Sequence, residues 1–113
     1  MGKAKSALKS QEAALARARA FVKKAREVAE RAGLRVVAAY VVGSRARGDY
    51  TEESDIDVVL VVEGAERLNA LQRLELFKDA LEPGVDLFVY TPDEWRRDSP
   101  WMLELRREAA PLE

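Results

Sequence analysis

The sequence of 113 residues contains no cysteine and no histidine. Their absence excludes disulfide scaffolds, thiolate metal sites, cysteine nucleophiles and every mechanism that uses an imidazole as its base. No apolar run approaches the ~20 residues of a membrane-spanning helix, and the N-terminal segment is too rich in Ala, Arg and Lys for a signal peptide. We therefore expect a cytoplasmic protein with no membrane association. A content of 48% hydrophobic residues suffices for one compact domain over residues 1–113.

The charged residues are unevenly distributed along the chain. Residues 1–48 carry 12 basic and 3 acidic side chains, whereas residues 49–113 carry 7 basic and 17 acidic ones. This asymmetry is typical of a basic arm that binds nucleic acid, or of two faces that pair with each other or with a partner.

Three segments have the pattern of helices. Helix-favouring residues and an apolar stripe predict one long helix over residues 6–32, with residues 1–12 as an extension that frays beyond the core. Leucines and a phenylalanine at helical spacing predict a second helix over Glu66–Leu81, whose inner face carries Leu68, Leu71, Leu74, Phe77 and Leu81. A capped start at Thr91 and an amphipathic segment at Pro100–Ala109 predict helical structure near the C-terminus.

Three short β-branched runs are typical of buried strands: Arg35–Val42, Asp55–Val62 and Val85–Tyr90. The helical crossover between the second and third makes that pair parallel, whereas the short connection 43–54 favours an antiparallel first pair. The end of the first strand and the starts of the other two then lie at the same edge of a mixed sheet.

Three aspartates converge at this edge. Asp55 and Asp57 are two residues apart, so both carboxylates point to one face of the sheet. Asp86 lies among apolar residues of the third strand, where an uncompensated charge would be costly. Divalent cations relieve the repulsion among such carboxylates, and an oxygen-only ligand set favours two Mg²⁺ or Mn²⁺ ions over Zn²⁺. The alternative for Asp55 and Asp57 is a turn cap at the entrance of the strand.

The segment after the first strand has the features of a phosphate-binding loop. Gly43 permits close approach of the backbone, Ser44 offers a hydroxyl, and Arg45 and Arg47 offer forked donors to phosphate oxygens. It is not a Walker A loop, because no Gly-Lys-Ser/Thr follows at the required spacing. Alone, a Gly-Ser pair after a strand is most often a simple turn.

Taken together, Gly43-Ser44-Arg45-Ala46-Arg47-Gly48, Asp55-Ile56-Asp57 and Asp86 form a more specific pattern. It resembles the minimal nucleotidyltransferases (MNT proteins) of the superfamily related to DNA polymerase beta. The resemblance covers about residues 20–110 of the sequence. It implies an α/β (α+β) fold of order α-β-α-β-α-β, with a small mixed sheet of three or four strands flanked by helices.

The resemblance also implies an activity. It is the transfer of a nucleoside monophosphate from a nucleoside triphosphate to an acceptor hydroxyl. The triphosphate that the resemblance favours is ATP. Asp55 and Asp57 would hold two Mg²⁺ ions, with Mn²⁺ as an alternative, and Asp86 would bind one of them and take the acceptor's proton. Gly43 and Ser44 would bind the terminal phosphates, and Arg45 or Arg47 would neutralise their charge.

The acceptor is predicted to be a partner protein, because 113 residues leave no room for a nucleic-acid-gripping domain. The resemblance implies that this partner is a helical HEPN protein and that this chain is the antitoxin of a HEPN/MNT toxin–antitoxin pair. RNA is the second choice of acceptor, and self-association into a homo-oligomer stays open. Two further alternatives are a non-catalytic binding module of the same fold and a receiver-like phosphoacceptor domain. The last lysine, Lys78, precedes the third strand and disfavours the receiver.

Overall fold

The computed structural model describes residues 5–113 and has the alternating order that the sequence predicts. Within residues 5–113, five α-helices and four strands follow one another, apart from two short 3₁₀ turns. They are α1 (Lys5–Arg31), β1 (Arg35–Val42), α2 (Ser44–Arg47), β2 (Ile56–Glu63), α3 (Ala70–Phe77), β3 (Val85–Tyr90), α4 (Pro92–Trp95), α5 (Pro100–Glu108) and β4 (Ala110–Pro111). Within this part of the chain, no helix is both long and apolar enough to cross a membrane.

The strands form one mixed sheet of order β3-β2-β1-β4. Strand β2 is antiparallel to β1 and parallel to β3, which confirms the topology inferred from the connection lengths. The sheet has four strands, within the three or four that the resemblance implies. The position of the fourth is not predicted, because Ala110 and Pro111 carry no strand signal in the sequence; they pair with Val41 and Tyr40 of β1.

Each face of the sheet has its own apolar cluster. On one face, α1 and the segment of α3 pack against the sheet through residues such as Phe21, Phe77 and Leu60. On the other face, α4 and α5 contribute Trp95 and Met102 against neighbours such as Val59. Strand β2 is covered on both sides, and this explains its nearly continuous apolar sequence.

The single helix predicted over Glu66–Leu81 is wrong, because the segment is divided into a 3₁₀ turn, α3 and a second 3₁₀ turn. The break lies at Asn69, whose side chain accepts a hydrogen bond from the amide of Gln72, while the Gln72 side chain accepts one from the Asn69 amide. This reciprocal capping starts a new helix at Ala70.

The inner face predicted for this helix is also wrong in part. Leu71 and Leu74 are 65% and 43% exposed, whereas Arg73 and Phe77 are buried. Arg73 donates hydrogen bonds to the carbonyls of Ala65 and Leu68, both at 3.0 Å, and pairs with Glu94 at 2.6 Å. These three partners compensate the buried guanidinium and fix the rotation of α3.

Candidate active site

The ends of three strands meet at one edge of the sheet. Val42, the last residue of β1, pairs with Asp57 of β2, and Asp57 pairs in parallel register with Asp86 of β3. Residues that are direct partners in a sheet lie on the same face. Asp57 and Asp86 therefore share the face that α4 and α5 cover further along the strands, and the predicted convergence of β1, β2 and β3 is confirmed.

The three aspartates differ in their exposure. Asp57 is half-buried, whereas Asp55 and Asp86 are exposed. The desolvation cost predicted for a charge at Asp86 inside an apolar strand is wrong, because β3 is an edge strand and Asp86 is exposed. Asp55 precedes β2 and lies beside Gly84, the residue before β3.

The environment of Asp57 is strongly negative. Burial, followed by the charges of Asp86, Asp55 and Glu108, raises the pKa of the Asp57 carboxyl, and Arg47 only partly opposes this effect. A cation at this point would relieve the repulsion. Among the residues described, however, no three acidic side chains are already gathered as a set of metal ligands.

Gly43 connects β1 to α2 in a conformation that requires glycine. Its φ of 74° and ψ of −156° lie in a region that is almost confined to this residue. A Cβ atom at this position would stand 2.3 Å from Oδ2 of Asp57. The backbone of the predicted phosphate-binding loop thus runs directly against the half-buried carboxylate.

The two loop arginines have different positions. Arg45 is 4% exposed, and its guanidinium donates to the carbonyl of Ser54 at 2.7 and 3.0 Å and to the side chains of Gln11 and Ser10. It also lies over the ring of Tyr50, 4.9 Å from the centroid. These contacts occupy the guanidinium, so the expectation that Arg45 contacts phosphate is not supported by its position.

The contacts of Arg45 also reach the N-terminal part of α1. Residues 5–12 are helical, and Ser10 and Gln11 bond to Arg45, while residues 1–4 of the predicted extension lie outside the described residues. Arg45 therefore anchors α1 to the loop that follows β1.

Arg47 is half-exposed and faces the site. Its Nη1 atom donates to Oε2 of Glu108 at 2.9 Å, and its Nε atom donates to Asp49 at 3.2 Å. The other oxygen of Glu108, Oε1, accepts a hydrogen bond from the backbone amide of Gly43 at 3.0 Å. Both carboxylates raise the pKa of Arg47, with Glu108 the larger influence.

A cavity of about 490 Å³ opens at this edge of the sheet. Its lining combines the loop, the half-buried carboxylate and one face of α5: Val42, Gly43, Ser44, Arg47, Asp57, Phe88, Trp101, Glu104, Leu105 and Glu108. Asp86 lines a separate depression beside α3 with Leu74 and Leu87. A larger groove of about 570 Å³ lies between α3 and the connection from α1 to β1, but its walls contain none of the sheet-edge carboxylates.

Trp101 and Glu108 line the cavity but are not among the site residues predicted from the sequence. The only signal for Glu108 is its acidic charge in the last turn of a helix, where a negative side chain is unfavourable. Trp101 is 60% exposed in an otherwise amphipathic helix, and an exposed tryptophan of this kind is a weak sign of a binding surface.

Comparison with known proteins supports one family. The model of the nucleotidyltransferase domain family matches residues 22–108. The chain is also similar to a candidate nucleotidyltransferase from Sulfolobus solfataricus, with 32% identity over 98% of this chain and 89% of the other, and a TM-score of 0.78. The search of curated proteins finds no match. The resemblance drawn from the sequence is confirmed, and the chain belongs to the nucleotidyltransferase domain family of enzymes.

Proposed function

We propose that this nucleotidyltransferase transfers a nucleoside monophosphate from a nucleoside triphosphate, with ATP as the first candidate, to a hydroxyl of a partner protein. The observation that carries the proposal is the cavity in which Gly43, Ser44 and Arg47 stand beside Asp57. Phosphate-binding groups and a half-buried carboxylate in one cavity are what a triphosphate with associated cations requires.

The bonds that form and break in nucleotidyl transfer determine which chemical groups the site must provide. The acceptor oxygen forms a bond to the α-phosphorus, and the bond from that phosphorus to the oxygen bridging to the β-phosphate breaks. Pyrophosphate leaves with the electron pair of that bond. The proton of the hydroxyl must pass to a base, and we assign this role to Asp86, which is exposed beside Asp57.

The phosphates would contact Ser44 and Arg47. Arg47 is half-exposed and lines the cavity, whereas Arg45 is buried and serves to anchor the loop. The forked guanidinium of Arg47 suits the oxygens of a phosphate better than the ammonium group of a lysine would. We therefore assign charge neutralisation to Arg47 rather than to Arg45.

Two Mg²⁺ ions, or Mn²⁺ ions, fit the donors at the sheet edge. Asp55, Asp57 and Asp86 offer only carboxylate oxygens, which are the ligands that these ions prefer. The raised pKa of Asp57, caused by burial and by the neighbouring carboxylates, indicates a local deficit of positive charge. When bound, such ions would neutralise the phosphates and activate the acceptor hydroxyl.

The acceptor that we propose is a helical HEPN-type protein, with this chain as its antitoxin. Residues 49–113 form the acidic half of the sequence, which disfavours a phosphate backbone near the site. The basic helix α1 would contact the partner. Lys24, Arg26 and Arg31 are paired within the chain. The exposed cations that remain along α1 are Lys5, Lys9, Arg19 and Lys23.

RNA is the second candidate acceptor, because the same cations on α1 suit a phosphate backbone. The two candidates are separated by incubating the protein with α-labelled ATP, Mg²⁺ and an extract of the source cell, and then treating the products with ribonuclease or protease. We expect label that is lost with protease and resists ribonuclease. Label that is lost only with ribonuclease would contradict the protein acceptor but support nucleotidyl transfer.

A non-catalytic binding module is the competing class. Calorimetric titration with ATP, with and without Mg²⁺, tests it before any acceptor is known. The enzyme should bind the triphosphate in a metal-dependent manner, whereas a module that uses the fold only to bind a partner should show no such binding.

A further inference from the structure

The carboxylate of Glu108 occupies two donors that a nucleotide phosphate would need. Its Oε1 atom accepts from the amide of Gly43 at 3.0 Å, and its Oε2 atom accepts from Arg47 at 2.9 Å. The Glu108 side chain is only 16% exposed and lines the same cavity as Ser44 and Asp57. We infer that Glu108 is an internal competitor of the triphosphate, which must displace it from Gly43 and Arg47 in order to bind.

The position of Glu108 in α5 is unfavourable for the helix itself. It is the last residue of the helix, where the partial negative charge of the carbonyl groups repels a carboxylate. Arg106 and Arg107, in the same turn, have the charge that a helix C-terminus favours. The contacts with Gly43 and Arg47 offset this repulsion, so the side chain is held by the loop and not by its own helix.

The geometry resembles recognition of a phosphate. A planar anion presents two oxygens, one to a backbone amide and one to a guanidinium, and both hydrogen bonds have ordinary lengths. Because Gly43 has one amide hydrogen, it cannot serve the Glu108 carboxylate and a phosphate oxygen fully at the same time. The negative charge of Glu108 also faces Asp57, and it would repel an incoming phosphate.

The inference rests on the proposed function, and it means that the contacts of Glu108 lower the affinity of the protein for the triphosphate. A ligand binds only the fraction of molecules in which Glu108 is released, so its apparent dissociation constant equals the intrinsic one divided by that fraction. The ion pair with Arg47 is half-exposed on the arginine side, and exposed pairs are weak. Removing the carboxylate should therefore tighten triphosphate binding by about three- to tenfold.

The test compares Glu108→Gln and Glu108→Ala with the wild-type full chain. Binding of inorganic tripolyphosphate and of ATP is measured by calorimetry, and adenosine serves as a ligand without phosphates. Glu104→Gln is the matched control, because Glu104 lines the same cavity one turn earlier but pairs with Arg107. It removes one negative charge from the cavity and leaves the contacts of Gly43 and Arg47 in place.

We expect both Glu108 variants to bind tripolyphosphate and ATP more tightly than the wild type, with Glu104→Gln close to the wild type. The inference is overturned if the Glu108 variants bind these ligands equally or more weakly, since Glu108 then positions the loop. It is also overturned if Glu104→Gln gives the same gain, which would reflect net charge alone. If the wild type binds and the Glu108 variants do not differ from it, the proposed function stands. If no form of the protein binds a triphosphate, the inference and the proposed function both fail.

Discussion

Substitution of Gly43 by alanine tests whether the loop backbone and Asp57 are as close as the structure places them. The backbone conformation at Gly43 costs about 1–3 kcal/mol for a residue with a Cβ atom. The new Cβ would also stand 2.3 Å from Oδ2 of Asp57, and overpacking of this kind costs about 1–3 kcal/mol. We expect Gly43→Ala to lower the free energy of unfolding by the sum of the two contributions, about 2–6 kcal/mol.

Gly48→Ala provides the matched control, because Gly48 has a φ of 95° but open space around its missing Cβ. It should cost only the left-handed backbone term, about 1–2 kcal/mol. Thermal unfolding followed by circular dichroism measures both, at about 4 °C per kcal/mol for a chain of this size. In an Asp57→Ala background, the cost of Gly43→Ala should fall by the clash term. An unchanged cost in that background, or equal costs for the two glycines, would refute the close approach.

Three further predictions concern other residues at or near the cavity. Because burial and neighbouring carboxylates raise the pKa of Asp57 from its ordinary value of 3.8, the folded state holds this proton more tightly than the unfolded chain. Stability is then lost as the pH rises from about 3.8 through the raised pKa. Asp57→Asn should therefore raise the melting temperature in metal-free buffer at pH 7 and not at pH 3. A lower melting temperature of this variant at pH 7 would contradict the raised pKa of Asp57. Arg45→Ala should reduce the free energy of unfolding by about 2–4 kcal/mol, because it leaves the Ser54 carbonyl without its donor, whereas Arg47→Ala should cost clearly less, because the Arg47 side chain is exposed; equal losses in urea denaturation would show that the two arginines are not distinguished by burial. Addition of ATP and Mg²⁺ should change the fluorescence of Trp101, which is 60% exposed and lines the cavity, and Trp101→Phe should abolish the change; a signal that persists would place the nucleotide elsewhere.

The sequence predicts β1, β2 and β3 well because these strands carry an unambiguous signal, which the short strand β4 lacks. Strand β2 is apolar on both faces and β3 follows a helical crossover, so pairing and direction follow from composition and connection length. The convergence of Gly43, Asp57 and Asp86 at one edge is then a matter of topology and needs no side-chain detail.

The parts that the sequence does not predict depend on competition among side chains. A leucine pattern predicts one helix, but the reciprocal hydrogen bonds of Asn69 and Gln72 start α3 later, and the buried Arg73 turns Leu71 and Leu74 outward. In the same way, Arg45 and Arg47 are equivalent in the sequence. Only the three-dimensional placement of Gln11 and Ser54 shows that one is an anchor and the other faces the cavity.

We propose that the aspartates at the sheet edge, Asp57 above all, support nucleotidyl transfer. The most direct measurement is the rate of pyrophosphate release from ATP, with Mg²⁺ and an acceptor-containing extract, for the wild type and for Asp57→Asn. Asparagine has the size of aspartate but lacks the charge, so folding should be retained while the rate falls by at least about 10²-fold. A folded Asp57→Asn protein that releases pyrophosphate at the wild-type rate would show that nucleotidyl transfer does not depend on the Asp57 carboxylate.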